Sequence, residues 1–201
     1  MIKNIIFDYG AVLLDWNPHY LYDPYFGSAE KAEWFLQNVA TYKWNVQHDA
    51  GRPLAQGTAE LVARFPEWEK EIRMYYGEFP KMMGGQIPGM QELVEELKSK
   101  SYHIYGLTNW SAETFAMVRN DYPVLKLMEG MVVSGEEGVV KPDARIYNIL
   151  LERYGLEASE CLFIDDNMAN VEGARAVGIN AIQFRGVDAL RQELAELQIS
   201  L

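Results

Sequence analysis

Residues 5–12 read IIFDYGAV: an apolar run halts on a lone carboxylate, Asp8, passes Tyr9 and Gly10, and turns apolar again. Ile5 to Phe7 is short, β-branched and aromatic, the pattern of a strand covered on both faces. Four later runs share that character: Ile104 to Leu107, Met131 to Val133, Leu162 to Ile164 and Ala181 to Phe184. Between them lie helical stripes, such as Met90, Leu93, Val94 and Leu97 after Pro88, and Ile146, Ile149, Leu150 and Tyr154 after Pro142. Strand and helix patterns in alternation predict an α/β fold around a mostly parallel sheet.

One segment breaks the alternation. From about residue 17 to residue 83 there is no convincing strand. It carries three helical stripes instead: Ala32, Phe35, Leu36 and Val39 after a capping Ser28, then Leu61, Val62 and Phe65 after Thr58, then Trp68, Ile72 and Phe79 after Pro66. The spacing predicts an all-helical insert placed after the first strand, with Gly84-Gly85 as the hinge where the chain re-enters the sheet.

Composition bounds the function. A chain of 201 residues, 49% hydrophobic and 23% charged, is an ordinary globular one that holds one core domain and a smaller unit. A net charge of -11 argues against a nucleic-acid partner, whose phosphates need a basic face. One cysteine, Cys161, forms no internal disulfide. With no apolar run long enough to cross a membrane and no leader pattern at the start, the expectation is a cytoplasmic protein without a membrane partner. Oligomeric state is not legible.

In an open parallel sheet, ligands collect beyond the carboxyl ends of the strands. Strand one delivers Asp8 there. The run IYGLTNWS delivers Thr108 and Asn109, the run SGEEGVVKPDARIY carries Lys141, and CLFIDDNMAN ends on Asp165 and Asp166. Each alone is ordinary turn or capping chemistry. Three carboxylates, a hydroxyl, an amide and a lysine at one sheet edge are another matter, because carboxylates that close oppose folding unless a cation joins them. A hard ion such as Mg²⁺ suits few carboxylates and takes its remaining ligands from water and substrate phosphate.

These stations, in this order, resemble the haloacid dehalogenase superfamily of hydrolases, most of them Mg²⁺-dependent phosphatases. The segments that carry the resemblance are FDYGAVL, TN, VVKPDARIY and FIDDNMANVEGARAVG. They are most similar to the branch with bacterial sugar-phosphate phosphatases and the phosphatase domain of soluble epoxide hydrolase. The resemblance implies a Rossmann-like core over residues 1–16 and 84–201 and a helical cap over residues 17–83. It makes Asp8 the nucleophile that takes up the phosphoryl group, and Asp8, the Gly10 carbonyl and Asp166 the Mg²⁺ ligands. Asp165 becomes a ligand through water or an orienter, Thr108 and Asn109 the phosphate-binding groups, and Lys141 the cation that offsets Asp8 and the transferring group. The substrate is then a small phosphomonoester, a sugar phosphate or similar metabolite.

Gly10 departs from that pattern. The superfamily's phosphatases read Asp-x-Asp, and the second carboxylate protonates the leaving group and then activates water, help worth about 10²- to 10⁴-fold. Asp15 and His48 are the titratable candidates to replace it, each read more readily as a surface turn and a solvated loop. Two other readings stay open: a metal-independent 2-haloacid dehalogenase, and a non-enzymatic binding protein on the same fold. The Asp165-Asp166 pair weighs against the first, and the joint presence of Asp8, Thr108, Lys141 and Asp166 against the second.

Overall fold

The computed structural model describes residues 1–201. In chain order its elements are β1 (Asn4–Phe7), β2 (Leu14–Trp16), α1 (His19–Phe26), α2 (Ala29–Asn38), α3 (Tyr42–Asp49), α4 (Leu54–Arg64) and α5 (Glu69–Gly77). There follow β3 (Met83–Gln86), α6 (Met90–Ser99), β4 (His103–Thr108), α7 (Ala112–Val118), β5 (Gly130–Val133) and α8 (Ser134–Glu137). The chain closes with α9 (Ala144–Tyr154), β6 (Cys161–Asp165), α10 (Met168–Ala176), β7 (Asn180–Gln183) and α11 (Val187–Glu196).

All five predicted strands form, and they pair as one parallel sheet in the order β5-β4-β1-β6-β7. β1 lies in the centre, with Ile5 opposite Ile104 on one side and Leu162 on the other. The chain steps away from β1 in both directions, so a crevice opens at the carboxyl ends of β1, β4 and β6. Alternation along the strands feeds two cores. Ile5, Phe7, Ile104, Leu162 and Ile164 face one layer, with α6, α7 and α11; Ile6, Tyr105, Leu107 and Phe163 face the other, with α9 and α10. The result is a three-layer α/β/α arrangement.

The first core does not end at the sheet. Phe35, Trp44, Tyr75 and Phe79 from the helical segment join Leu13, Trp110 and Phe115 in one continuous apolar cluster. The chain leaves for this segment through β2 and returns through β3, which pair antiparallel. Three-residue β2 is too short for a hydrophobic period to announce it. Gly84 and Gly85 lie within β3, and Gly85 adopts φ +112°, a backbone that suits only glycine.

Two helical expectations shift. α4 begins at Leu54, after Pro53, so Thr58 is inside the helix and does not start it. Helix α3 covers residues that carried no helical stripe, because three of the four residues it buries are polar: Asn45, His48 and Asp49, beside Trp44. Ser28 caps α2 as expected, accepting the Lys31 N–H.

Tyr9 points away from the cleft into the first core. It is fully buried and stacked on Phe115 at 5.9 Å, its ring fills the space where a side chain at Gly106 would stand, and its hydroxyl has no partner. A buried hydroxyl without a partner carries its desolvation cost uncompensated. Tyr9→Phe is therefore expected to raise stability by about 1 kcal/mol, and Gly106→Ala to lower it by about 1–3 kcal/mol through overlap with the ring. Urea midpoints of the two variants check both signs.

Candidate active site

Asp8 follows β1 directly, and its own N–H stays in the sheet, donating to Ile164 O at 2.9 Å. That bond fixes the backbone, so the carboxylate projects from the strand end as the next residue of the pleat. Oδ1 accepts the Tyr9 N–H at 2.7 Å. Gly10 also lines the cleft, but the left-handed residue of the turn is Ala11, at φ 59°, rather than the glycine expected to bend the chain.

Lys141 reaches the same point from the loop after α8, and its side chain is fully buried. Its ammonium has three donors and three partners: Asp8 Oδ1 at 2.9 Å, Asp165 Oδ2 at 2.6 Å and Leu107 O at 2.9 Å. Burial works against its charge, yet the two carboxylates outweigh burial and raise its pKa. Asn109 holds the lysine's main chain from both sides, donating to Lys141 O at 3.0 Å and accepting the Lys141 N–H at 2.8 Å. The residue expected to orient phosphate thus has its amide committed to placing Lys141.

Asp165 is saturated. Besides Lys141 it accepts the Asn167 N–H at 2.8 Å and the Asn170 amide at 3.0 and 3.1 Å. Asp166 is exposed to the cleft, its carboxyl pushed up by partial burial and by Asp165 beside it. Oxygen atoms of Asp8, Asp165 and Asp166 all lie within 4.8 Å of one another. Burial pushes the Asp8 carboxyl up to about 7, with Asp165 adding to the rise and Lys141 resisting it. One lysine does not supply enough positive charge for this cluster. Thr108 ends β4, buried at the same edge.

The cleft above these residues holds about 340 Å³ and has walls from both halves of the chain. Asp8, Gly10, Asp166, Asn167 and Asn170 come from the sheet side, and Tyr42, Asn45, Asp49 and Phe79 from the helical segment, with Trp16 and Trp110 between them. The two candidates named for proton transfer are not among the lining residues. Asp15 lies on β2, where it accepts the Tyr20 hydroxyl at 2.6 Å. His48 is not a solvated loop residue but fully buried on α3: Nδ1 faces Trp44 O and the Tyr76 hydroxyl, Nε2 abuts Gly57, and burial lowers its pKa.

Asp49, one residue on, lines the cleft, and sequence reasoning passed it over. The signal available was the pairing of Asn45 with Asp49 four residues apart, which puts two polar groups on one helix face. Asn45 donates to Asp49 Oδ2 at 3.1 Å, and Tyr76 donates to Asn45 Oδ1 at 3.0 Å. Burial pushes the Asp49 carboxyl up to about 7, and its only counterweight is the main chain at Ser111.

The chain matches known proteins over nearly its whole length. A model of the haloacid dehalogenase-like hydrolases covers residues 2–178. The sesquiterpene phosphatase astK of Aspergillus oryzae is 28% identical over 97% of this chain and 96% of its own. A phosphorylated carbohydrates phosphatase of Thermotoga maritima is 24% identical over 90% of this chain and 84% of its own. Among solved structures, an enzyme of the same family from Bacteroides thetaiotaomicron, in complex with magnesium and inorganic phosphate, superposes with a TM-score of 0.70. It is 21% identical over 92% of this chain and 96% of that one, a likeness of fold.

The Asp49 carboxyl titrates near pH 7 when folded, against 3.8 when free. The folded chain therefore keeps a proton that the unfolded chain has released, and the stabilisation it brings is complete below about pH 4 and lost as pH rises to about 7. Asp49→Asn has no such proton to lose. The variant is expected to match the parent near pH 4 and exceed it at pH 8 by on the order of a few kcal/mol, measured by urea unfolding in EDTA across that range.

Proposed function

The chain belongs to the haloacid dehalogenase-like hydrolases, and from that premise we propose that it is a magnesium-dependent phosphatase of small phosphomonoesters with Asp8 as its nucleophile. One observation carries the reading: a buried lysine joined to two strand-end carboxylates, with the oxygen of a third within 4.8 Å. The names of the relatives, a sesquiterpene phosphatase and a phosphatase of phosphorylated carbohydrates, support phosphoryl chemistry over other hydrolysis.

The donor set suits Mg²⁺. All three side-chain donors are carboxylate oxygens, the hard ligands this ion prefers, and an Asp8 pKa near 7 marks a cluster short of positive charge. Asp8, Asp166 and the Gly10 carbonyl would hold the ion, and Asp165 would orient the site through Lys141 and Asn170. Bound there, Mg²⁺ supplies charge neutralisation for the phosphoryl oxygens and lowers the Asp8 pKa so that the carboxylate is ionised at neutral pH. An ionised Asp8, held on a strand end, attacks phosphorus in line and displaces the alcohol, and water then releases phosphate from the aspartyl-phosphate. Lys141 stabilises charge on Asp8 and on the transferring group, and Thr108 with nearby N–H groups takes the phosphate oxygens.

Residues 1–16 and 84–201 form the catalytic core in this reading, and residues 17–83 its cap. Tyr42, Asn45, Asp49 and Phe79 support that division, since they come from the helical segment and line the same cleft as Asp8 and Asp166. A cleft of about 340 Å³ suits a small metabolite, with the Trp16, Tyr42, Phe79 and Trp110 rings to cover an apolar or sugar face. No helix is long and apolar enough to cross a membrane, which supports a cytoplasmic setting.

The test is turnover of p-nitrophenyl phosphate and of a panel of phosphorylated metabolites, with Mg²⁺ and with EDTA. Turnover is expected to require the metal and to fall by roughly 10⁴-fold or more in Asp8→Asn. Halide release from 2-haloacids that ignores EDTA would overturn the reading in favour of a dehalogenase. Silence across the whole panel would leave a binding protein.

A further inference from the structure

Gly10 leaves the phosphatase reading without a group to protonate the departing alcohol, and the cleft contains one that no motif announces. We propose that Asp49, on the helical segment, is the general acid that protonates the leaving oxygen and the general base that then activates water. This rests on the phosphatase reading of the same site.

Geometry is the first support. Asp49 is the one carboxyl from the helical segment that lines the cleft also lined by Asp8 and Asp166. A leaving group must extend away from Asp8 on the far side of phosphorus, because attack is in line. That direction leads from the strand end into the cleft, toward the wall that carries Asp49.

The second support is its fixation. Ser134, at the end of β5 on the sheet side, donates its hydroxyl to Asp49 O at 2.6 Å and accepts the Trp110 N–H at 2.9 Å. The Asn45 amide holds Oδ2, and the Tyr76 hydroxyl holds Asn45. The main chain of Asp49 is thus anchored to the core, and its carboxyl to its own helix. It is 8% exposed, and no salt bridge commits it to another role.

The third is its protonation state. Around it stand the phenols of Tyr42 on α3 and of Tyr75 and Tyr76 on α5, all raised by burial, and neutral His48 beside it. Of the charged groups on elements packed against α3, Glu137 is paired with Arg153, Arg52 with Glu60, Glu113 accepts the Leu54 N–H, and Glu136 is exposed. Across the cleft the charges are those of Asp8, Asp166 and Lys141. No cation is paired with Asp49, and burial outweighs the main chain at Ser111, leaving a proton on it near neutral pH, where a general acid is most effective.

The proton count closes. In the first step an Asp8 oxygen bonds to phosphorus as the ester P–O bond breaks; its electron pair stays on the leaving oxygen, which takes the Asp49 proton and departs as the alcohol. In the second, water attacks phosphorus and gives a proton to the Asp49 carboxylate. The bond from phosphorus to Asp8 breaks, which restores Asp8 as carboxylate, Asp49 as acid, and releases phosphate.

The discriminating experiment compares Asp49→Asn with the parent, in Mg²⁺, on an alkyl phosphate and on p-nitrophenyl phosphate, whose leaving group departs without a proton. In kcat/KM, which reports the steps up to departure of the alcohol and not the later attack of water, the proposal expects a loss of about 10²- to 10⁴-fold on the alkyl ester and only a few-fold on the aryl ester, which also shows that the variant is folded. The alkaline limb of the parent's kcat/KM profile on the alkyl ester is expected to vanish in the variant. Equal losses of kcat/KM on both esters, or none on either, would overturn the role of Asp49 and leave the phosphatase reading standing. A parent that hydrolyses neither ester would fail that reading, and this proposal with it.

Discussion

The ammonium of Lys141 is the contact on which the rest of the site depends. Three strand ends meet at it, β1 through Asp8, β4 through the Leu107 carbonyl and β6 through Asp165, and each takes one of its three protons. A charge buried this completely is tolerable only because every donor is satisfied and two partners are anionic. Removing either side would strand the other in a low-dielectric interior, at a cost of about 3–5 kcal/mol. The arrangement therefore fixes the edge of the sheet as firmly as its hydrogen bonds do. It also explains the neighbours: Asn109 clamps the lysine's main chain, and Asn170 and the Asn167 N–H take up the rest of Asp165.

Charge balance at this edge is incomplete, and that is where structure passes into function. Two buried carboxylates and a third at the rim share one lysine, and burial pushes the Asp8 carboxyl up to about 7. A folded state that leaves charge uncompensated at one place gives up stability there and gains affinity for what completes it. Asp49 is a second instance, with the opposite use: its proton is retained because it is buried and no cation is paired with it.

The two halves of the chain are less separate than an insert drawn between two strands implies. Their apolar residues form one cluster, and Ser134 joins the sheet side to the last residue of α3. Cleft walls built from both halves are thereby held in fixed relation at the point that matters for chemistry.

Much of this was legible in the order of residues. Five short β-branched runs alternating with helical stripes determined the parallel sheet, because burial on both faces leaves a continuous apolar signature. The strand-end rule brought Asp8, Lys141, Asp165 and Asp166 to one edge of the sheet, where they meet. What the order of residues could not decide was any contact that depends on a polar face turned inward. Helix α3 buries Asn45, His48 and Asp49, so no hydrophobic stripe marked it, and Asp49 in the cleft went unannounced. Asn109, expected to hold phosphate and lining the cleft, also clamps Lys141, 32 residues away along the chain. Sequence period reports which side of an element meets a core; which of two adjacent polar residues meets a cleft is set by how that element is rotated against its neighbours, and only packing determines that rotation.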